Sequence, residues 1–206
     1  MERLIIVGNG MVGHQLVASL VEKHAHLHYQ ITVIGEETCI AYDRVQLSAL
    51  FSGKSNEDLK LGSEDWYKKY GVELILGRQV TSVKTENQQV VVDDNVILQY
   101  DKLVLATGSY PFVPPIPGHE RKNCFVYRTL DDLSEIQAAC KGAKSGAVIG
   151  GRSVSYPLLT LPTTLDFLFS LLPFSFSSSL TLPLTFFSLS PSPSSLSTLP
   201  PLPPPH

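Results

Sequence analysis

One hexapeptide constrains this chain more than any other stretch: Gly8-Asn9-Gly10-Met11-Val12-Gly13, entered from the apolar run Leu4-Ile5-Ile6-Val7. A short run rich in β-branched residues and unbroken by polar ones reads as a strand buried on both faces. Beyond the glycines, Val12, Leu16, Val17 and Leu20 recur at helical spacing up to about Lys23, and Tyr29 to Ile34 resumes as a strand. The chain therefore opens with a βαβ unit whose first connection is a glycine turn.

Each glycine of a Gly-x-Gly-x-x-Gly turn has its own physical task. Gly8 permits the tight turn, Gly10 lets backbone approach a pyrophosphate, and Gly13 lets helix and strand pack closely. The first helical turn, Met11 to Gly13, offers unpaired N–H groups and a partial positive charge to phosphates. The fingerprint also needs a carboxylate at the end of the second strand to accept from ribose hydroxyls. Glu36 stands there, with Glu37 as the fallback. A glycine turn of this kind can also join strand to helix with no ligand.

Composition limits how far the fold extends. All fourteen glycines lie at or before Gly151 and all sixteen Lys and Arg at or before Arg152, while eleven of the fifteen prolines follow. The globular part is thus the first 150 or so residues, where basic and acidic side chains nearly balance, and no nucleic-acid surface is indicated. Cys39, Cys124 and Cys140 form no CxxC pair, which suits a reducing compartment and free thiols. With no signal peptide and no uninterrupted apolar span, the reading is a cytoplasmic protein without a membrane segment. His24, His26 and His28 alternate but have no carboxylate or cysteine close by, so they are placed in a solvated loop rather than at a metal.

The rest of the globular part alternates strand and helix. Val45 to Tyr70 is helix-prone, with Asn56 or Ser63 as caps, and Val72 to Leu76 is a strand closed by Gly77. Thr81 to Lys84 reads as a further strand, and Gln89 to Val92 with Val96 to Tyr100 as a β-hairpin. Leu103 to Ala106 is a buried strand ending in Thr107-Gly108-Ser109, a small, hydroxyl and glycine sequence that lets backbone come close to a cofactor. A proline connector from Pro111 to Pro117, a helix from Asp131 to Cys140 and a new strand at Gly146 complete it. The fold class expected is α/β: a Rossmann-like domain with a mainly parallel sheet plus a small antiparallel hairpin.

Taken together, the glycine turn and Leu105-Ala106-Thr107-Gly108 about a hundred residues later resemble the flavin-binding half of the FAD-dependent pyridine nucleotide oxidoreductases. Ile40-Ala41-Tyr42-Asp43-Arg44-Val45-Gln46-Leu47-Ser48, Ala106-Thr107-Gly108-Ser109-Tyr110-Pro111 and Cys124-Phe125-Val126-Tyr127-Arg128-Thr129 are similar to the nitrite reductase large-subunit branch of that family. The ferredoxin and rubredoxin reductases and the NADH oxidases are the neighbouring alternatives. A non-catalytic nucleotide-binding fragment is the third. The CxxxxC redox disulfide of glutathione-reductase-like members is absent, so thiol chemistry is not expected.

The resemblance implies FAD as cofactor, with Arg44 contacting the flavin nucleotide, backbone near Val80 meeting the adenine, and Ala106, Thr107, Gly108 and Ser109 flanking the cofactor. It also implies hydride transfer from NAD(P)H to the flavin and onward electron flow to siroheme and iron-sulfur acceptor domains. No catalytic side chain and no metal ligand are named, since the cofactor carries the chemistry.

By this reading residues 1–145 are a partial FAD/NAD(P)-binding domain, and 146–152 begin a second, NAD(P)H-binding fingerprint. Arg152 to Pro157 interrupts that fingerprint, with a proline where its helix should start, so the chain is expected not to turn over alone. Residues 153–206 are a low-complexity Ser, Leu, Pro, Phe and Thr tail, expected to be disordered or to be translated non-coding sequence.

Overall fold

The structure, a computed structural model, describes residues 1–141, 143, 145–149, 166–170 and 186–190. The chain divides into two compact units, Met1–Tyr110 and Pro111–His206.

The first unit is built on a parallel sheet of β1 (Glu2–Val7), β2 (Tyr29–Gly35), β3 (Glu73–Leu76) and β7 (Lys102–Leu105), in the order β3-β2-β1-β7. Between β1 and β2 runs helix α1 (Met11–Glu22). Helix α2 (Asn56–Leu59) and helix α3 (Glu64–Lys69) lie between β2 and β3, and β4 (Val80–Lys84), β5 (Gln89–Val92) and β6 (Val96–Gln99) form a separate antiparallel sheet.

Alternation along β1 feeds two cores. Leu4 and Ile6 pack with Ile31, Val33, Val17 of α1, Tyr67 of α3 and Val72 on one face of the parallel sheet. Ile5 and Val7 pack with Ile34, Val90, Val92 and Tyr100 on the other. Helices α1 and α3 thus cover one face and the three-stranded sheet the other. The double burial read from the β1 sequence follows from its central place.

Helix boundaries moved where short polar side chains decided them. The helix-prone stretch 45–70 is three pieces: a 3-10 segment Arg44–Ser52 capped by Asp43, then α2, then α3. Ser63 caps α3 as expected, but Ser55 rather than Asn56 caps α2, in a reciprocal capping box with Asp58. The expected hairpin gains β4 as a third strand, which begins one residue earlier than its pattern suggested, at Val80.

Arg3 and Asp101 tie the starts of β1 and β7 together. Asp101 accepts from the Arg3 backbone N–H at 2.7 Å and from its guanidinium at 3.0 and 3.2 Å, while the Asp101 N–H donates to the Arg3 carbonyl at 2.9 Å.

In the second unit, β8 (Cys124–Val126) precedes α4 (Leu130–Cys140), whose cap Thr129 forms a capping box with Asp132. Strand β9 (Ser145–Ile149) pairs in parallel with β10 (Asp166–Ser170) and antiparallel with β11 (Phe186–Ser190), which also pairs with β8. Strands β10 and β11 fall within the 153–206 stretch that the sequence reading expects to be disordered, while the Gly150-Gly151 turn, the interruption at 152–157 and the remainder of the tail lie outside the described residues. Among the described residues no helix is long and apolar enough to cross a membrane.

Candidate functional site

In open parallel sheets, ligands bind outside the carboxyl ends of the strands, where the strand order reverses direction. Here β1 is that point, with β2 on one side and β7 on the other. The glycine turn follows β1, Glu36 follows β2, and Ala106 to Ser109 follow β7, so the topology brings all three sequence motifs to one rim.

Within the turn the three glycines divide their tasks. Gly8 has φ +114°, and a β-carbon there would lie 2.2 Å from the Ala106 carbonyl oxygen, so only glycine lets β1 and β7 leave the sheet side by side. Gly8 N–H donates to the Ile34 carbonyl at 2.8 Å and Ala106 N–H to the Val7 carbonyl at 2.7 Å, which stitches the turn to both neighbouring strands. Gly13 is buried, and a β-carbon on it would meet the Gly8 carbonyl oxygen at 2.0 Å. Gly10 differs, because a β-carbon on it would have nothing within 4 Å. Its neighbours Met11 and Val12 are exposed, it caps α1 with no side chain, and the helix's first turn carries no acidic residue. This is the arrangement in which backbone N–H groups and the helix field face an anion.

Asn9 was not singled out by the sequence. Its Cβ rests where a side chain on Gly35 would go, its amide donates to the Cys39 carbonyl at 3.4 Å, and its Oδ1 is buried without a protein partner. It clamps the turn onto the end of β2.

Two adjacent carboxylates stand after β2, and the structure separates them. Glu37 is held by the Tyr42 hydroxyl at 2.7 Å and by an ion pair with Arg44, whose guanidinium also lies over the Tyr42 ring at 5.3 Å. Burial, and then the hydrogen bond to Glu37, hold the Tyr42 phenol protonated far above its ordinary range. Glu36 is exposed on the rim, where its Oε2 accepts from the Tyr110 hydroxyl at 2.7 Å. Glu36 is thus the carboxylate left exposed on the rim, while Glu37 and Arg44 engage each other.

Val80 opens β4 and packs half-buried against the Ile5, Val7 and Ile34 core. Ala106 is half-buried, and Thr107, Gly108 and Ser109 are exposed, with Gly108 at φ +72°. Tyr110, which closes the same motif, is the rim residue that sequence reasoning quoted without a role. No spacing rule links position 110 to position 36.

Beside the turn a cleft of about 980 Å³ is lined by His14, Cys39, Lys60, Glu64 and Trp66 among others. His14 Nδ1 sits 2.6 Å from the Tyr67 hydroxyl, and burial lowers the imidazole's pKa and pushes the Tyr67 phenol up to about 12. His14 is a packing residue, joined to α3 through Trp66 and Tyr67. His26, expected with His24 and His28 in a solvated loop, is half-buried in a 3-10 turn, Ala25–Leu27, where its ring meets Tyr70 edge-on. Cys39, Cys124 and Cys140 are half-buried and are not joined to one another in a disulfide.

A family model described as pyridine nucleotide-disulphide oxidoreductase matches residues 2–155. The chain is 49% identical over 148 residues to the nitrite reductase [NAD(P)H] large subunit of Klebsiella oxytoca, covering 72% of this chain and 16% of that protein. It is 43% identical over 149 residues to the nitrite reductase (NADH) large subunit of Escherichia coli K12, covering 72% and 18%. The chain therefore spans less than a fifth of the length of these relatives. Among solved structures, the NADH:rubredoxin oxidoreductase of Clostridium acetobutylicum shares the fold, with a TM-score of 0.68 at 24% identity over 82% of this chain and 44% of that one.

Proposed function

The chain belongs to the pyridine nucleotide-disulphide oxidoreductase family, with nitrite reductase large subunits among its relatives, and from that premise we propose that its first unit is the part of a flavin site that grips the ADP moiety of FAD. The carrying observation is the division of labour at the rim. Gly10 leaves open space at an uncapped helix N-terminus, and the exposed Glu36 stands at the end of the next strand.

The residues suit that group. Backbone of Gly10, Met11, Val12 and Gly13 would meet the pyrophosphate, where no acidic side chain opposes it. Glu36, an acceptor-only carboxylate, matches the two O–H donors of a ribose. Backbone near Val80 would border the adenine, and Ala106, Thr107, Gly108 and Ser109 would flank the cofactor along the crevice. Arg44, expected from the resemblance to contact the flavin nucleotide, is paired with Glu37 in this structure, and in this reading its hold on Glu37 leaves Glu36 as the ribose acid.

A bound FAD would supply hydride acceptance from NAD(P)H and one-electron release, while the protein's own residues would supply position and electrostatics. The likeness to nitrite reductases supports siroheme and iron-sulfur domains as the acceptors in a full-length protein, working in the cytoplasm. The sequence departure at Arg152 to Pro157, within the second fingerprint, supports the view that this chain does not complete NAD(P)H oxidation alone.

Isothermal titration of the purified 206-residue chain with FAD and with ADP tests the reading. Binding of both is expected, with NAD(P)H-dependent ferricyanide reduction at background. Failure to bind ADP overturns the nucleotide site, and robust dye reduction overturns the lack of turnover.

A further inference from the structure

Three connections that are distant in sequence meet at one point on the rim. Glu36 follows β2, Gln79 follows β3, and Tyr110 follows β7. The Tyr110 hydroxyl donates to Glu36 Oε2 at 2.7 Å, and the Gln79 side-chain amide approaches the same phenol oxygen at 3.5 Å. Donor and acceptor roles run one way along this relay. The amide nitrogen Nε2 only donates, the phenol oxygen accepts while its own O–H donates to the carboxylate, and the ionised carboxylate only accepts. Gln79 is itself anchored, since its N–H donates to Asp93 Oδ1 and its carbonyl accepts from the Asp93 N–H, both at 2.9 Å.

We propose that Tyr110 is a positioning residue for nucleotide binding, acting through Glu36 so that the carboxylate is held ready for the two hydroxyls of an adenine nucleotide's ribose. This rests on the ADP-binding reading above.

An exposed glutamate at a strand end has several rotamers, and fixing one at the moment of binding costs conformational entropy. A phenol already bonded to one oxygen spends that entropy before the ligand arrives, which is preorganisation. The carboxylate is not used up by the contact. Two oxygens offer about four lone-pair positions, and a single phenol takes one of them.

The side chain is well placed to be tested, because Tyr110 is 72% exposed and its phenol can be removed without opening the core. The 206-residue chain and its Tyr110→Phe variant are titrated with ADP and with 2′,3′-dideoxy-ADP, and their thermal unfolding is compared. Tyr110→Phe is expected to weaken ADP about fivefold, the effect of one lost hydrogen bond. It is expected to leave dideoxy-ADP affinity unchanged. A packing role would weaken both ligands alike, so equal losses overturn the proposal. Unchanged or tighter ADP binding overturns it while leaving the ADP site standing, tighter binding meaning that Tyr110 competes with the ribose. If the unsubstituted chain binds neither FAD nor ADP, both readings fall together.

Discussion

Gly8 and Ala106 are separated by almost the whole first unit, yet the space of the missing Gly8 side chain is filled by Ala106 backbone: a β-carbon on Gly8 would stand 2.2 Å from the Ala106 carbonyl oxygen and 3.1 Å from the Thr107 nitrogen. The first glycine of the turn and the small-residue end of β7 are therefore one structural device. Their close approach brings the ends of β1 and β7 together at the carboxyl rim of the parallel sheet.

This contact predicts opposite consequences for two glycines two residues apart. Gly8→Ala faces both a positive φ and backbone that cannot move aside, so it should cost at least about 3 kcal/mol in urea denaturation. Gly10→Ala meets open space at an extended φ of −93°, so stability should change by less than about 1 kcal/mol. Its methyl group would nevertheless stand where a pyrophosphate must come close. ADP affinity should fall about tenfold or more, each tenfold being about 1.4 kcal/mol in titration calorimetry.

The two glutamates should separate in the same way. Glu36→Gln removes an exposed charge and should leave stability within about 0.5 kcal/mol while weakening ADP. Glu37→Gln leaves Arg44 without its half-buried partner and weakens the Tyr42 bond, and should cost about 1 to 2 kcal/mol. Unfolding and ADP titration of both variants check the assignment. Equal loss of ADP affinity in the two would mean that the ribose acid is not resolved as the rim geometry has it.

Asp101 makes a pH prediction. Hydrogen bonds from the Arg3 guanidinium and then its backbone N–H hold the carboxyl at about 2. The folded pKa lies below the unfolded value of about 3.9, so the folded state binds fewer protons and the contribution to stability is complete above that value. It is lost as pH falls toward the folded pKa. The stability gap between the unsubstituted chain and Asp101→Asn should be constant near neutral pH and close between about pH 4 and pH 2, measured as urea midpoints across that range.

In the second unit, Thr129 accepts from the Asp132 N–H at 3.1 Å while Asp132 accepts from the N–H groups of Arg128 and Thr129 at 3.0 and 2.8 Å. Thr129→Ala should raise amide exchange across the first turn of α4, consistent with a loss of about 1 kcal/mol. Exchange unchanged from Asp131 to Leu133 would show that the cap does not hold the helix start.

Much of the fold is legible in the residues because it rests on local periodicity. The β1, α1 and β2 unit and the hairpin of β5 and β6 follow from apolar spacing and turn chemistry. Caps were less legible. Ser55 and Asn56 are both good caps, and which one bonds Asp58 depends on where the chain leaves the 3-10 segment, a choice made by the contacts of residues 41–43 with 59–61.

The sequence alone determined that a strand enters a glycine turn, that a helix leaves it, and that acidic residues follow the next strand, because these patterns are read from periodicity and residue type over a few positions. It named Glu36, with Glu37 as the fallback, without showing what sets the two apart, and it did not bring Tyr110 to either. Those outcomes depend on pairing β1 with β7 and on the Glu37, Tyr42 and Arg44 cluster, where partners distant in the chain become neighbours only after the sheet has assembled. Tertiary structure decided which carboxylate stays exposed, because an ion pair and a phenol engage Glu37 and leave Glu36 on the rim.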